Sequence, residues 1–238
     1  ITLYPEDKIT PDSYFRNETD LQLFTNSFYT YLPSSGIYQD EADIIINPIL
    51  MEEMSGQRVV PETGGGWSWT QLRQINYFLE NSHHCSDKEV LAHYNGLARF
   101  FRAYFYYEKV KRFGDVPWYD QVVGSADKEL LNKPRDSRKL VMENVLADLD
   151  FAIENLRADK DVYRVSRWTA LALKSRIMLF EGTCRKYHNL GDWEACLEES
   201  VKASQELIDK GGYTLYNSYE ELFVATDANT VAKEFILA

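Results

Sequence analysis

Two tryptophans follow a run of three glycines, and their type and position point to ligand chemistry. Trp67 and Trp69 come directly after the glycines at 64–66, in a stretch without a helical stripe that would draw two indoles into a core. A pyranose presents an apolar C–H face that an exposed aromatic ring can cover. We therefore predict a stacking platform for sugar rings. Trp67 is favoured, because Trp69 is in phase with Leu72 of the next helix and can instead pack onto the first hairpin.

Sugar hydroxyls also need planar hydrogen-bonding groups beside the stack. The preceding loops supply Asp40, Asp43, Asn47, Arg58 and Glu62. Of these, Asp43, Arg58 and Glu62 join the tryptophans as predicted ligand-binding residues. For each of them alone, a solvated loop residue is the simpler interpretation.

Metal-ligand residue types occur twice, both times without ligand spacing. His83, His84 and Cys85 are adjacent, so their side chains diverge, and the segment is typical of an exposed turn between helices. A second group of oxygen ligands, which would suit Ca²⁺, lacks the spacing of an EF-hand loop; it consists of Asp40, Glu41 and Asp43. The sequence predicts neither a metal site nor a cofactor.

Catalytic signatures are missing as well. The chain has no G-x-S-x-G, Walker, G-x-G-x-x-G or H-E-x-x-H motif. The acidic pairs Glu52 with Glu53, Asp148 with Asp150, and Glu198 with Glu199 are typical of solvated helix faces rather than an acid/base couple across a cleft. We predict a protein that is not an enzyme, with an all-helical glycoside hydrolase as a lower-ranked rival.

Composition limits the classes of protein to which the chain can belong. The 238 residues are 45% hydrophobic, enough for a sizeable core, and the net charge of -11 disfavours nucleic-acid binding. Three cysteines without a CxxC pair suggest no disulfide framework, and a bond between Cys184 and Cys196 stays open. No apolar run reaches the ~18 residues of a membrane span, and residues 1–6 are no signal peptide. The protein is soluble, or its targeting segment has been removed.

Helical periodicity runs through most of the chain. Residues 1–66 are rich in proline and predicted to be loops around one helix at about 20–32. Further helices are predicted at about 69–81, 88–112, 136–156, 167–182 and 192–210. The residues expected to cap the last three are Asp136, Ser166 and Asp192. Residues 118–134 are predicted to be a connection.

Two of these helices carry informative faces. The aromatic run at 100–107 has helical spacing, so we predict core rather than a binding surface. On the last helix we predict an inner face, followed by a stop at Gly211 and Gly212. That predicted face consists of Trp193, Leu197, Val201, Ser204 and Ile208.

Successive amphipathic helices of this length are typical of stacked antiparallel hairpins, in which each hairpin covers its neighbour. Small and large residues alternate at the predicted contacts, which resembles tetratricopeptide spacing without its full consensus. The predicted fold is mainly α, an irregular tetratricopeptide-like solenoid with the loops of 1–66 covering one side. Residues 1–238 are predicted to form one domain, with hairpins at 67–210 and a further segment beginning at 211–238.

One stretch resembles the most recognisable motif of the SusD/RagB family, an aromatic helix that runs into a Phe-Gly-Asp-Val-Pro turn. It is RAYFYYEKVKRFGDVP at 102–117. Three other segments are similar to the family in the same order along the chain, as is the opening PDSYF at 11–15. They are LRQINYFL at 72–79, PRDS at 134–137 leading into VLADLDFA at 145–152, and RVSRWTALALKSR at 164–176.

The resemblance implies a non-catalytic SusD-like lipoprotein on the extracellular face of the outer membrane. Such a protein binds a glycan or another nutrient and passes it to a SusC-like TonB-dependent transporter. It also implies a lipid anchor absent from this chain, and an N-terminal portion, because family members continue past residue 238. The rival interpretation is a tetratricopeptide-like adaptor that binds an extended peptide in an open groove.

Overall fold

The computed structural model describes residues 14–33 and 52–238, and within them regular structure is helical. No strand occurs in these ranges, only an isolated bridge between Val116 and Asp136. The mainly α prediction is confirmed. The helices are α1 (Glu18–Thr25), α2 (Glu52–Ser55), α3 (Thr70–Asn81), α4 (Lys88–Phe113), α5 (Lys128–Leu131), α6 (Arg138–Asn155), α7 (Arg167–Tyr187), α8 (Trp193–Lys210) and α9 (Tyr219–Val224), with 3₁₀ turns at Asn26–Tyr31, Ser82–His84 and Ala228–Val231.

The long helices stack in chain order, with α3 against α4, α4 along α6, α6 against α7 and α7 along α8. Short links at 82–87 and 188–192 make α3/α4 and α7/α8 antiparallel hairpins. The α4/α6 pair differs, because a 24-residue connection at 114–137 joins its helices. The result is the irregular tetratricopeptide-like stack predicted from the sequence.

Helix α4 forms the centre of the core. Asp87 caps its start by accepting from the N–H groups of Glu89 and Val90, and Gly114 ends it at φ 69°, a conformation that favours glycine. The aromatic run is core, as predicted, with Tyr104 half-buried. Its buried members are Phe100, Phe101, Phe105, Tyr106 and Tyr107.

Residues 14–33 cover one side of the stack. The ring of Phe28 lies 5.8 Å from that of Phe101, and Phe15 lies 5.8 Å from Phe78. The predicted single helix is an α-helix up to Thr25 that continues as a 3₁₀ turn. Residues 55–64, by contrast, are almost entirely solvent-exposed. Within the described ranges, the cover comes from 14–33.

His93 lies where this cover meets α4, and its Nδ1 accepts a hydrogen bond from the backbone N–H of Arg157 at 3.2 Å. Burial, reinforced by the Arg157 charge, lowers the pKa of His93 from 6.5 to about 4. The unfolded chain therefore binds the additional proton first as pH falls. We expect the free energy of unfolding to decrease from pH 6.5 toward pH 4, by up to about 1.4 kcal/mol per pH unit.

Urea unfolding of the wild type and of His93→Gln, measured between pH 7 and pH 5, tests this expectation. The variant should lose that part of the pH dependence, whereas His188→Gln, at an exposed position, should keep it. Equal slopes for the wild type and His93→Gln would contradict the assignment.

Of the predicted caps, Asp136 is wrong and Asp192 is correct only in position, because both carboxylates have other partners. Helix α6 is capped by Ser137, whose hydroxyl accepts from the N–H of Leu140, while Asp136 binds the connection at 114–137. Asp192 precedes α8 in the left-handed region at φ 51°, and its carboxylate pairs with Lys139 at 2.6 Å instead of capping. Ser166 does precede α7 as its N-cap residue, and its N–H donates to the Thr169 hydroxyl at 3.2 Å.

The predicted inner face of α8 is partly wrong, since Val201 and Ile208 are exposed, whereas Leu197 and Ser204 do contact α7. The buried residues of α8 are Ser200 and Ala203, one helical position away. At Gly182 of α7 an added Cβ would lie 2.7 Å from Leu197. Small residues thus allow α7 and α8 to approach closely. A pattern of large apolar residues therefore did not identify which positions of α8 are buried.

Cys85, Cys184 and Cys196 are free thiols. Among the described residues, none of the helices combines the length and apolarity that crossing a bilayer requires.

Candidate ligand-binding site

The connection at 114–137 folds back over α3 and α4, held by buried polar side chains. The Asn76 amide donates from Nδ2 to the carbonyls of Tyr119 and Gln121, each at 3.0 Å. The Tyr106 hydroxyl accepts from the N–H of Tyr119 at 2.6 Å, and its ring stacks on Trp118 with centroids 4.2 Å apart. These contacts fix the backbone of the connection against the hairpin.

Asn76 is itself oriented by a buried ion pair that includes Asp148, so the prediction that Asp148 lies on a solvated helix face is wrong. Arg102 on α4 binds Asp148 on α6 in bidentate fashion, with N–O distances of 2.6 and 2.7 Å, and also donates to the Asn76 Oδ1 at 3.4 Å. Burial alone would lower the pKa of Arg102, but the hydrogen bonds and charge of Asp148 outweigh it and raise the pKa. The helix core therefore determines where the connection lies.

The far end of the connection is tied down by Asp136. Its carboxylate accepts from the N–H of Trp118 at 2.7 Å and from Lys133 at 2.6 Å. Burial would raise the pKa of Asp136, but these two interactions dominate and lower the pKa. The carboxylate is thus held in its charged form as a structural tie.

Between the connection, α3 and the loop before α3 lies a cavity of about 600 Å³. Two smaller cavities, of about 220 and 230 Å³, lie elsewhere in the described part of the chain. We refer to the larger one as the tryptophan cavity. Its lining residues are Trp67, Trp69, Thr70, Leu72, Arg73, Asn76, Pro117, Tyr119, Gln121, Val123, Leu131, Lys133, Pro134 and Arg135.

Trp67 and Trp69 meet at this cavity in different states. Trp67 is 38% exposed, and its ring stands nearly perpendicular to Trp69 and to Phe113, with centroids 5.1 and 4.8 Å apart. Trp69 packs deeper, against Phe105 and Tyr119 at 5.7 and 5.8 Å. Trp69 is in helical phase with Leu72 and, as expected, packs on the first hairpin. Trp67 therefore provides the accessible indole.

The other residues predicted to bind ligand lie either away from the cavity lining or outside the described residues. Arg58 and Glu62 are exposed and do not line the tryptophan cavity. Asp43, like Asp40 and Asn47, lies outside the described residues. Ligand contact by Asp43, Arg58 or Glu62 stays a prediction.

The histidine pair hydrogen-bonds its own helix end: His83 contacts the Glu80 carbonyl through Nδ1 at 2.7 Å, and His84 contacts that of Asn81 at 2.8 Å. In the described ranges, no group of three or more His, Cys, Asp or Glu residues is arranged to hold a metal ion.

The sequence interpretation missed most of the cavity wall. Arg73 lies four residues after Trp69, one helical turn along α3, and this spacing was a usable signal. Lys133 and Arg135 had no such signal, because they belong to a segment interpreted only as a connection. Tyr119 and Asn76 reach the cavity through hydrogen bonds that no local pattern indicates.

Taken together, the described residues define a helical, tetratricopeptide-like protein with a cavity lined in part by aromatic side chains. Residues 67–179, which contain most of the cavity wall, match the model of a SusD-like family described as "Starch-binding associating with outer membrane". The curated SusD-like protein P25 of Formosa agariphila is 22% identical over 92% of this chain and 44% of its own length.

Solved structures give the same result. A SusD-like protein from Bacteroides fragilis is 25% identical, with a TM-score of 0.68 over 90% of this chain and 42% of the other. A laminarin-binding SusD-like protein is 21% identical, with a TM-score of 0.58 over 71% of this chain and 35% of the other. The chain is thus similar to SusD-like proteins in sequence and in fold, and it spans less than half the length of these relatives.

Proposed function

We propose that the protein binds a glycan, or a nutrient of similar chemistry, at the extracellular face of the outer membrane. The observation that carries the proposal is the exposed Trp67 indole at a cavity of about 600 Å³, a size suited to an oligosaccharide. The similarity to a family described as starch-binding and outer-membrane-associated supports it, as does the similarity to a laminarin-binding protein.

Binding would combine ring stacking with hydrogen bonds from the cavity wall. Trp67 supplies the apolar face, while Arg73, Gln121 and Arg135 supply polar groups along the same wall. Among the described lining residues there is no Asp or Glu. Glycoside hydrolysis ordinarily requires two carboxyl groups, so we propose capture without chemistry on the sugar.

By family resemblance, the captured glycan would pass to a SusC-like TonB-dependent transporter, and a lipid anchor would hold the protein at the membrane. Affinity purification of the full-length protein from outer membranes is expected to bring a transporter of this class with it. Purification without any such transporter would contradict the delivery step but leave glycan binding standing.

Glycan binding itself is tested by isothermal titration against a panel of neutral and acidic oligosaccharides, with peptides included. We expect saturable binding of at least one glycan and no release of reducing ends on prolonged incubation. Silence across the whole panel would contradict the proposal, and new reducing ends would favour the hydrolase rival.

The adaptor rival predicts an open groove from which residues 1–66 are easily lost. The packing of Phe15, Leu21 and Phe28 into the core weighs against it. Limited proteolysis discriminates between the two: rapid loss of the first 66 residues together with binding of an extended peptide would favour the adaptor.

A further inference from the structure

The charged residues of the tryptophan cavity all have the same sign. Three of its described lining residues, Arg73, Lys133 and Arg135, are basic, and none is acidic. The chain as a whole has 37 acidic and 26 basic residues. The charge of the described cavity lining is therefore positive, whereas the net charge of the protein is negative.

The three basic side chains differ in whether a carboxylate pairs with them. Lys133 is neutralised by Asp136 at 2.6 Å. Arg73 is exposed and donates to the carbonyl of Val123, and no ion pair links it to any carboxylate in the described part of the chain. Two guanidinium groups, those of Arg73 and Arg135, thus remain without a counter-ion among the described residues.

Arg135 is placed beside the proposed stacking ring. Its Cζ lies 5.0 Å from the Trp67 ring centroid, and no hydrogen bond or ion pair to the described residues engages its guanidinium. A guanidinium carries five N–H donors in a planar fork that matches a carboxylate or a sulfate. An anionic substituent on a sugar near Trp67 would find this fork within reach.

We infer that the tryptophan cavity prefers an acidic glycan, one with carboxylate or sulfate groups, and that Arg73 and Arg135 recognise the anionic group. This inference rests on the proposed function and specifies its substrate class. The neutral part of the sugar contacts the indoles, and the anion takes the place of the counter-ion that the two arginines lack.

The test is titration with pairs of glycans that differ in charge alone. One pair is polygalacturonate and its methyl ester, and the other is dextran sulfate and dextran. At least one acidic member is expected to bind about tenfold more tightly than its neutral counterpart. Because salt screens charges, this difference in affinity should decrease as the NaCl concentration is raised toward about 0.5 M. The pair that responds shows whether carboxylate or sulfate is recognised.

Variants link the preference to the two arginines. Arg135→Gln and Arg73→Gln should each remove most of the acidic advantage, and Arg135→Lys should retain part of it, because charge survives without the fork. Arg176→Gln, an exposed arginine of α7 outside the cavity, should change nothing. Thermal melts confirm that each variant is folded.

The possible outcomes are distinct. If neutral glycans bind and acidic ones show no advantage, or if the advantage survives in both glutamine variants, the inference is overturned while the proposed function holds. If no glycan in the charge pairs or in the wider panel binds, the proposed function and this inference both fail.

Discussion

Replacing Asp148 with alanine is expected to reduce the free energy of unfolding by about 3–5 kcal/mol, because it leaves the guanidinium of Arg102 buried and unpaired. Arg102 and Asp148 are 6% and 2% exposed, and the bidentate contact at 2.6 and 2.7 Å joins α4 to α6. Urea unfolding followed by circular dichroism measures the change.

Two controls separate burial from charge. Lys202→Gln breaks the ion pair between Lys202 and Glu199, in which Lys202 is largely exposed, and should change the free energy of unfolding little. The double variant Arg102→Met with Asp148→Leu removes both charges and should recover most of the stability lost in Asp148→Ala. If Asp148→Ala reduced the free energy of unfolding as little as Lys202→Gln does, the stabilising role assigned to the buried ion pair would be wrong.

The double variant also tests whether the ion pair positions the site. Without Arg102, the Asn76 amide loses the donor to its Oδ1, although its own bonds to the carbonyls of Tyr119 and Gln121 remain available. We expect a stable protein whose connection at 114–137 is more mobile, with faster hydrogen exchange there and weaker glycan binding. Wild-type affinity in this variant would limit the ion pair to stabilising the fold.

Much of the helical stack was predictable because its signals are local. The stripe at 72, 75 and 79 and the aromatic run at 100–107 repeat at helical spacing, and Gly114 with Pro117 marks the end of α4 within one residue. The family motif at 102–117 coincides with the end of α4 and its turn, so both kinds of reasoning agreed there. Core and fold class follow from such patterns.

The errors occurred where contacts in the folded chain compete with a local sequence pattern. Asp136 has the residue type and position of a helix cap, but it binds Trp118 and Lys133 instead. In α8, apolar Val201 looked like a core residue, whereas contact with α7 selects Ser200 and Ala203 because helices approach closely over small side chains. Propensity describes the local choice, and tertiary packing overrides it.

The cavity was predictable only in part for the same reason. The tryptophans were recognisable because they follow three glycines, and Trp67 in particular belongs to no helical stripe. Arg135 became a candidate only when the connection was seen to bring it over Trp67, 68 positions earlier in the chain. A site assembled from a loop, a helix and a connection is a property of the fold rather than of any one segment.

The contrast between the two indoles gives the largest expected effect on binding. Trp67→Ala should weaken binding of any glycan that stacks in the cavity by about 30-fold or more, the loss expected for a central aromatic contact. Because Trp67 is 38% exposed, the same change should alter stability by only about 1 kcal/mol. Isothermal titration and urea unfolding on the same preparations measure both quantities.

Trp69→Ala should behave differently, since this ring packs against Phe105, Tyr106 and Tyr119 and supports Trp67 from below. It should lower both affinity and stability, the latter by about 2–3 kcal/mol, somewhat less than for a fully buried tryptophan. Trp193→Ala, on α8 and outside the cavity, should leave affinity unchanged. Loss of affinity without loss of stability distinguishes a ligand platform from a core residue. If Trp67→Ala bound glycans like the wild type while Trp193→Ala did not, stacking would therefore have to be assigned to another surface.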